Sequence, residues 1–123
     1  KDIVGFEMLI NWDIPVILCE GAFDAMTIKR NAIPLFGKKI SPSLMKQLIK
    51  CKSKSIYLAL DDDALLDAFE HAKKFISMGK KVYLLEMEGK DPNEMGFEKF
   101  NEVLFKAQPI TTADLMRKRL SLS

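Results

Sequence analysis

Residues 55–86 read SIYLALDDDALLDAFEHAKKFISMGKKVYLLE, and this stretch decides the fold. It opens on Ser55–Leu60, an apolar run rich in residues suited to a buried parallel strand. The run stops at three consecutive aspartates. Leu65, Phe69, Ala72 and Ile76 then recur at helical spacing, which predicts a helix over Ala64–Met78, with Gly79 where a left-handed terminator is favoured. Lys81–Glu86 follows as a second strand. Strand, helix and strand in this order make a βαβ unit, whose two strands lie parallel in one sheet.

The same alternation extends outward from this unit. Upstream, Val16–Cys19 (VILC), bounded by Pro15, reads as a buried strand, Ala22–Asn31 as a helix, and Ile33–Phe36 as a short strand ended by Gly37. Ser41 and Pro42 start a helix to about Lys50, since serine caps free amides and proline fits the first turn, with Leu44, Leu48 and Ile49 as its apolar stripe. Downstream, a polar loop over Met87–Asn93 leads to a helix through Phe97, Phe100, Val103 and Leu104. Thr111–Leu120 reads as a short helix capped by Thr112, while Asp2–Trp12 has mixed periodicity. These elements predict a three-layer, Rossmann-like α/β fold: a four-stranded, mainly parallel sheet flanked by helices. One domain over 1–123 is expected, with a core of about 14–107 and peripheral segments at 1–13 and 108–123.

Bulk properties narrow the class. Apolar residues make up 48% and charged residues 29%, which suits a folded globular chain and excludes disordered or fibrous ones. A net charge of +2 is too small to argue for a nucleic-acid partner by itself. Only two cysteines occur, Cys19 and Cys51, with no metal-ligand spacing around either, so reduced thiols and a cytoplasmic location are expected. No stretch has the length of a membrane span or the pattern of a signal peptide.

The acidic residues are not scattered. In an open parallel sheet, ligands bind at the carboxyl ends of the strands. Glu20 and Gly21 follow the first strand directly, and Asp24 lies one helical turn on. Asp61, Asp62 and Asp63 follow the third strand; Asp91 sits in the loop after the fourth, beside Pro92, Asn93 and Glu94. Carboxylates gathered in one place repel and raise each other's pKa, and a divalent cation removes that cost. Oxygen ligands without histidine or thiolate select hard ions such as Mg²⁺, which retains positions for water and phosphate. If 61–63 is extended, residues two apart point the same way, which makes Asp61 and Asp63 the metal pair and leaves Asp62 outside it. Gly21 lets the backbone turn without a side chain in the way of a ligand.

These residues carry a family resemblance. Glu20-Gly21-Ala22-Phe23-Asp24 after an apolar strand resembles the EGxxD motif of the Toprim family, and Asp61-Asp62-Asp63 after IYLAL resembles its DxD motif. Pro34-Leu35-Phe36-Gly37 followed by Ile40-Ser41 is similar to a glycine-centred turn in the primase versions, and Lys90-Asp91-Pro92-Asn93-Glu94 to their acidic DP loop. The likeness runs from about Val16 to Phe105 and is greatest to bacterial and phage DNA primases. It implies a Toprim fold in which Glu20 is the catalytic acid/base or metal-linked carboxylate. Asp61 and Asp63 would bind Mg²⁺, or Mn²⁺ in its place, with Asp24 and Asp91 completing the acidic site. The implied reaction is nucleotidyl transfer from nucleoside triphosphates on a DNA template to make short RNA primers, with a replicative helicase as a further partner. The zinc-binding module and basic subdomain that precede the Toprim region in primases are not in these 123 residues. A metal-binding core of a larger protein, or a stand-alone relative, is therefore implied. Two positions depart from the pattern: Leu66 stands where the family often has glycine, and Asn93 where primases often have aspartate.

Other readings stand beside this one. Acids after strands also cap helices, Asp-Pro is an ordinary loop signal, and one helical acid such as Asp24 is commonplace. Lys38 and Lys39, with Lys29 and Arg30, stand where they could touch phosphates, although such lysines are more often simply solvated. His71, the one histidine, is expected at the surface without a role. Arg117, Lys118 and Arg119 suit a helix end, and Trp12 would anchor the N-terminal segment. Alternative functions for the same fold are an OLD-like nuclease, in which the carboxylates activate water, and a non-catalytic assembly module.

Overall fold

The computed structural model describes residues 10–19, 21, 31–35, 40–60, 62–85 and 95–122, with the backbone alone at 62–65, 67 and 122. In chain order the elements are β1 (Val16–Cys19), β2 (Ala32–Pro34), α1 (Pro42–Lys50), β3 (Ser55–Ala59) and α2 (Asp62–Ser77). They continue as β4 (Lys81–Leu84), α3 (Phe97–Lys106), β5 (Pro109–Ile110) and α4 (Thr112–Leu122). The helix expected over Ala22–Asn31 lies outside the described residues except for Asn31, which stands in a bend ahead of β2.

The sheet has the order β2-β1-β3-β4-β5. β1 is parallel to β2 and β3, and β3 to β4; only β5 runs antiparallel, pairing Val82 with Ile110 and Tyr83 with Pro109. The fold class expected from the sequence is the one observed, and the described residues carry one strand more than the four it predicts. β2 sits one residue earlier than expected, and its ladder is extended by Leu35, whose N–H donates to the Cys19 carbonyl at 2.8 Å.

Alternation along the strands builds two cores, one on each face. Val16, Leu18, Ile56, Leu58 and Val82 pack with Leu44 and Leu48 of α1, Phe69, Ala72 and Phe75 of α2, and Leu115 of α4. On the other face, Ile17, Cys19, Ala32 and Ala59 pack with Phe100 of α3. β1 is buried on both sides, which is why its four residues are all apolar. Truncating one of these fully buried side chains to alanine would cost about 2–5 kcal/mol. Tyr57 and Tyr83, partners in the β3–β4 register, stack with ring centroids 4.2 Å apart.

Local chemistry fixes the helix ends. Ser41 caps α1, its Oγ accepting from the Leu44 N–H at 3.1 Å. α2 closes in a Schellman turn: Gly79 adopts φ 87°, its N–H donates to the Ile76 carbonyl, and the Lys80 N–H reaches back to Phe75 at 2.9 Å. The Lys80 ammonium then donates to the Cys51 carbonyl at 2.8 Å and to that of Ser53, tying this turn to the approach to β3. Asn31 holds the approach to β1: its amide donates to the carbonyls of Asn11 and Pro15 at 2.7 and 3.1 Å, while its Oδ1 accepts from the Asn11 N–H. Trp12 packs against the larger core, as expected of an anchor. The C-terminal segment, which the sequence sets at the periphery, adds β5 to the sheet and buries Leu115 completely.

Candidate active site

In the order β2-β1-β3-β4, the chain leaves β1 toward one side of the sheet and β3 toward the other. The boundary between these two strands is therefore the topological switch point, the place at the carboxyl ends where open parallel sheets bind ligands. The register makes this concrete. Cys19 pairs with Ala59, so the last residues of β1 and β3 are neighbours. Glu20 is next in sequence after Cys19, and Asp61 comes two residues after Ala59. Both strand ends are anchored: Cys19 is fully buried, and Leu60 is buried at the head of the aspartate run.

Gly21 is described and half-buried, and its carbonyl lies 3.8 Å from the Cys19 Sγ. Glu20, Asp24, Lys38, Lys39, Asp61 and Asp91 lie outside the described residues, as do Lys29, Arg30, Asn93 and Glu94. Asp63 is described by its backbone alone, in the first turn of α2. That placement corrects one step of the sequence reading. The triplet is not an extended run, because α2 starts at Asp62, and helical residues two apart do not share a face. The pairing of Asp61 with Asp63 thus loses its support from strand alternation. Aspartates in a first turn also gain from the helix dipole, so capping and ligation are compatible at these positions.

Among the described residues, no group of three or more His, Cys, Asp or Glu side chains is arranged to hold a metal ion. The donor set expected from the sequence, Glu20, Asp24, Asp61, Asp63 and Asp91, is all-oxygen and would suit a hard cation. His71 is half-buried in α2 rather than on the surface, and its Nδ1 is buried with no hydrogen-bond partner among the described residues. Neither Cys19 nor Cys51 is in a disulfide among the described residues. No helix among the described residues is long and apolar enough to cross a membrane.

The sequence reading passed over the β5 edge. Arg117 and Lys118, taken there as a basic helix end, line a groove beside β5, whereas Arg119 turns to Glu70 of α2 at 3.3 Å. The signal present in the sequence is four cations on either side of Pro109, Lys99, Lys106, Arg117 and Lys118, but nothing in their spacing joins α3 to α4.

Comparison with known proteins follows the same lines. A model of the Toprim-like family matches residues 17–96, from β1 to the start of α3. The structure aligns with the crystal structure of the zinc-binding and RNA polymerase domains of the Aquifex aeolicus primase, with a TM-score of 0.63 and 20% sequence identity. The alignment covers 95% of this chain and 33% of that one, so the chain spans one third of the solved protein. A search of curated proteins finds no match.

Proposed function

Because the chain belongs to the Toprim-like family, we propose that it is the divalent-metal-dependent catalytic core of a primase, joining ribonucleotides on a DNA template. The observation that carries this reading is the adjacency of Cys19 and Ala59 at the switch point, which brings the chain entering Glu20 beside the chain entering Asp61. The fold shared with the Aquifex aeolicus primase domains supports it.

In this reading Asp61 and Asp63 hold Mg²⁺, with Asp24 and Asp91 completing the acidic set. What the bound ion supplies is neutralisation of the carboxylates and of the triphosphate oxygens. Glu20 accepts the proton of the attacking 3′-hydroxyl as its oxygen bonds to the α-phosphorus and pyrophosphate departs. Gly21 keeps the approach clear of side chains, and Lys38 and Lys39 contact phosphate. A template strand and nucleoside triphosphates are the substrates, and a replicative helicase is the proposed partner.

Glu20→Gln or Asp61→Asn in the full-length protein is expected to abolish primer synthesis while leaving the fold intact by circular dichroism. Unimpaired synthesis by either variant would reject the assignment. Cleavage of labelled nucleic acid without nucleotide addition would instead give the same carboxylates the role of activating water.

A further inference from the structure

Along the outer edge of the sheet, between α3 and α4, runs a groove of about 710 Å³. Its apolar lining includes Leu84, Val103, Pro109 and Ile110. It is lined also by four cations, Lys99 and Lys106 from α3 and Arg117 and Lys118 from α4, against two carboxylates. Those carboxylates are already engaged: Glu102 lies 3.9 Å from Lys99, and Asp114 pairs with Arg117. Lys106 of α3 and Lys118 of α4 both line the groove and enter no ion pair among the described residues.

We propose that this groove binds one strand of nucleic acid, with its phosphates on Lys106 and Lys118 and its sugars and bases against Pro109 and Ile110. A lining that mixes apolar side chains with an excess of cations suits a polyanion with exposed apolar faces, and a single strand offers those faces whereas a duplex stacks them away. β5 lies two strand spacings from β3, about 10 Å. The choice of nucleic acid over another polyanion rests on the function proposed above; the groove itself does not.

The test is fluorescence anisotropy of a labelled single-stranded oligonucleotide in chelator, which keeps metal chemistry out of the measurement. Wild type is expected to bind with a steep salt dependence. Lys106→Ala with Lys118→Ala should weaken binding about tenfold or more and lower the slope of log K against log salt by about 1.4, at about 0.7 per phosphate contact. Lys106→Arg with Lys118→Arg should keep binding, which separates lost charge from lost fold. Lys46→Ala with Lys50→Ala, at exposed positions on α1, should change nothing. Absence of binding, an equal loss in the α1 pair, or equal displacement by a duplex or an acidic peptide would overturn the proposal. Retained primer synthesis by Glu20→Gln together with weakened binding by the Lys106 and Lys118 pair would reject the catalytic assignment and leave the groove standing.

Discussion

At Gly79 a single backbone angle closes the longest helix. With φ at 87° the position is one that L side chains rarely adopt, and an added Cβ would meet nothing within 4 Å. Substitution there is therefore a purely conformational cost: Gly79→Ala should destabilise the protein by about 1–2 kcal/mol with no change in packing, read from urea unfolding. This glycine was legible because its role follows from its own chemistry. The aspartates were legible only in part. Their position after an apolar run marks a strand end, but where the strand stops and the helix starts depends on hydrogen bonds to neighbouring strands that local sequence does not record. The run was accordingly read as extended, and Asp62 and Asp63 stand in α2. Asn31 gave no signal at all, since the three hydrogen bonds of its side chain join segments that meet only in the folded chain.

Among the elements, α4 carries the clearest pH dependence. The sequence suggests Thr112 as its cap; the structure uses Thr111, whose Oγ1 accepts from the Asp114 N–H at 3.1 Å while the Asp114 carboxylate reaches back toward the Thr111 N–H. This reciprocal box needs an acid three residues after the cap, which only Thr111 has. The Thr111 hydroxyl and amide, and then the Arg117 guanidinium, hold the Asp114 carboxyl below its usual range. A depressed carboxylate contributes above its unfolded value and is lost as pH falls through the folded one. Protection of the amides of residues 115–118, taken as their exchange relative to the unstructured chain at each pH, should thus hold down to about pH 4 and fall below it, and Asp114→Asn should remove that dependence. An acid transition unchanged in the variant would show that the box contributes nothing. β5 escaped notice for a different reason: two residues beginning with proline have no period, and only the β4 edge makes them a strand.

For the whole molecule, the alternation of apolar runs with amphipathic helices was readable because a parallel sheet must be covered on both faces. A cation held at the switch point would bind the folded chain alone, so saturation at a hundred times Kd should add about 2.7 kcal/mol and raise the melting temperature by on the order of 10 °C. Asp61→Asn with Asp63→Asn should melt at the same temperature with and without Mg²⁺; a wild-type curve indifferent to Mg²⁺ would remove the metal from the proposal. The two outermost strands share a further property. β2 ends in Pro34 and β5 begins with Pro109, so each border of the sheet lacks a backbone donor where another chain would seek to continue the ladder. Together with their lengths of three and two residues, these prolines make both borders poor templates for growth. A sheet so terminated resists fibrillar self-association even while its broad apolar interior is transiently open during folding.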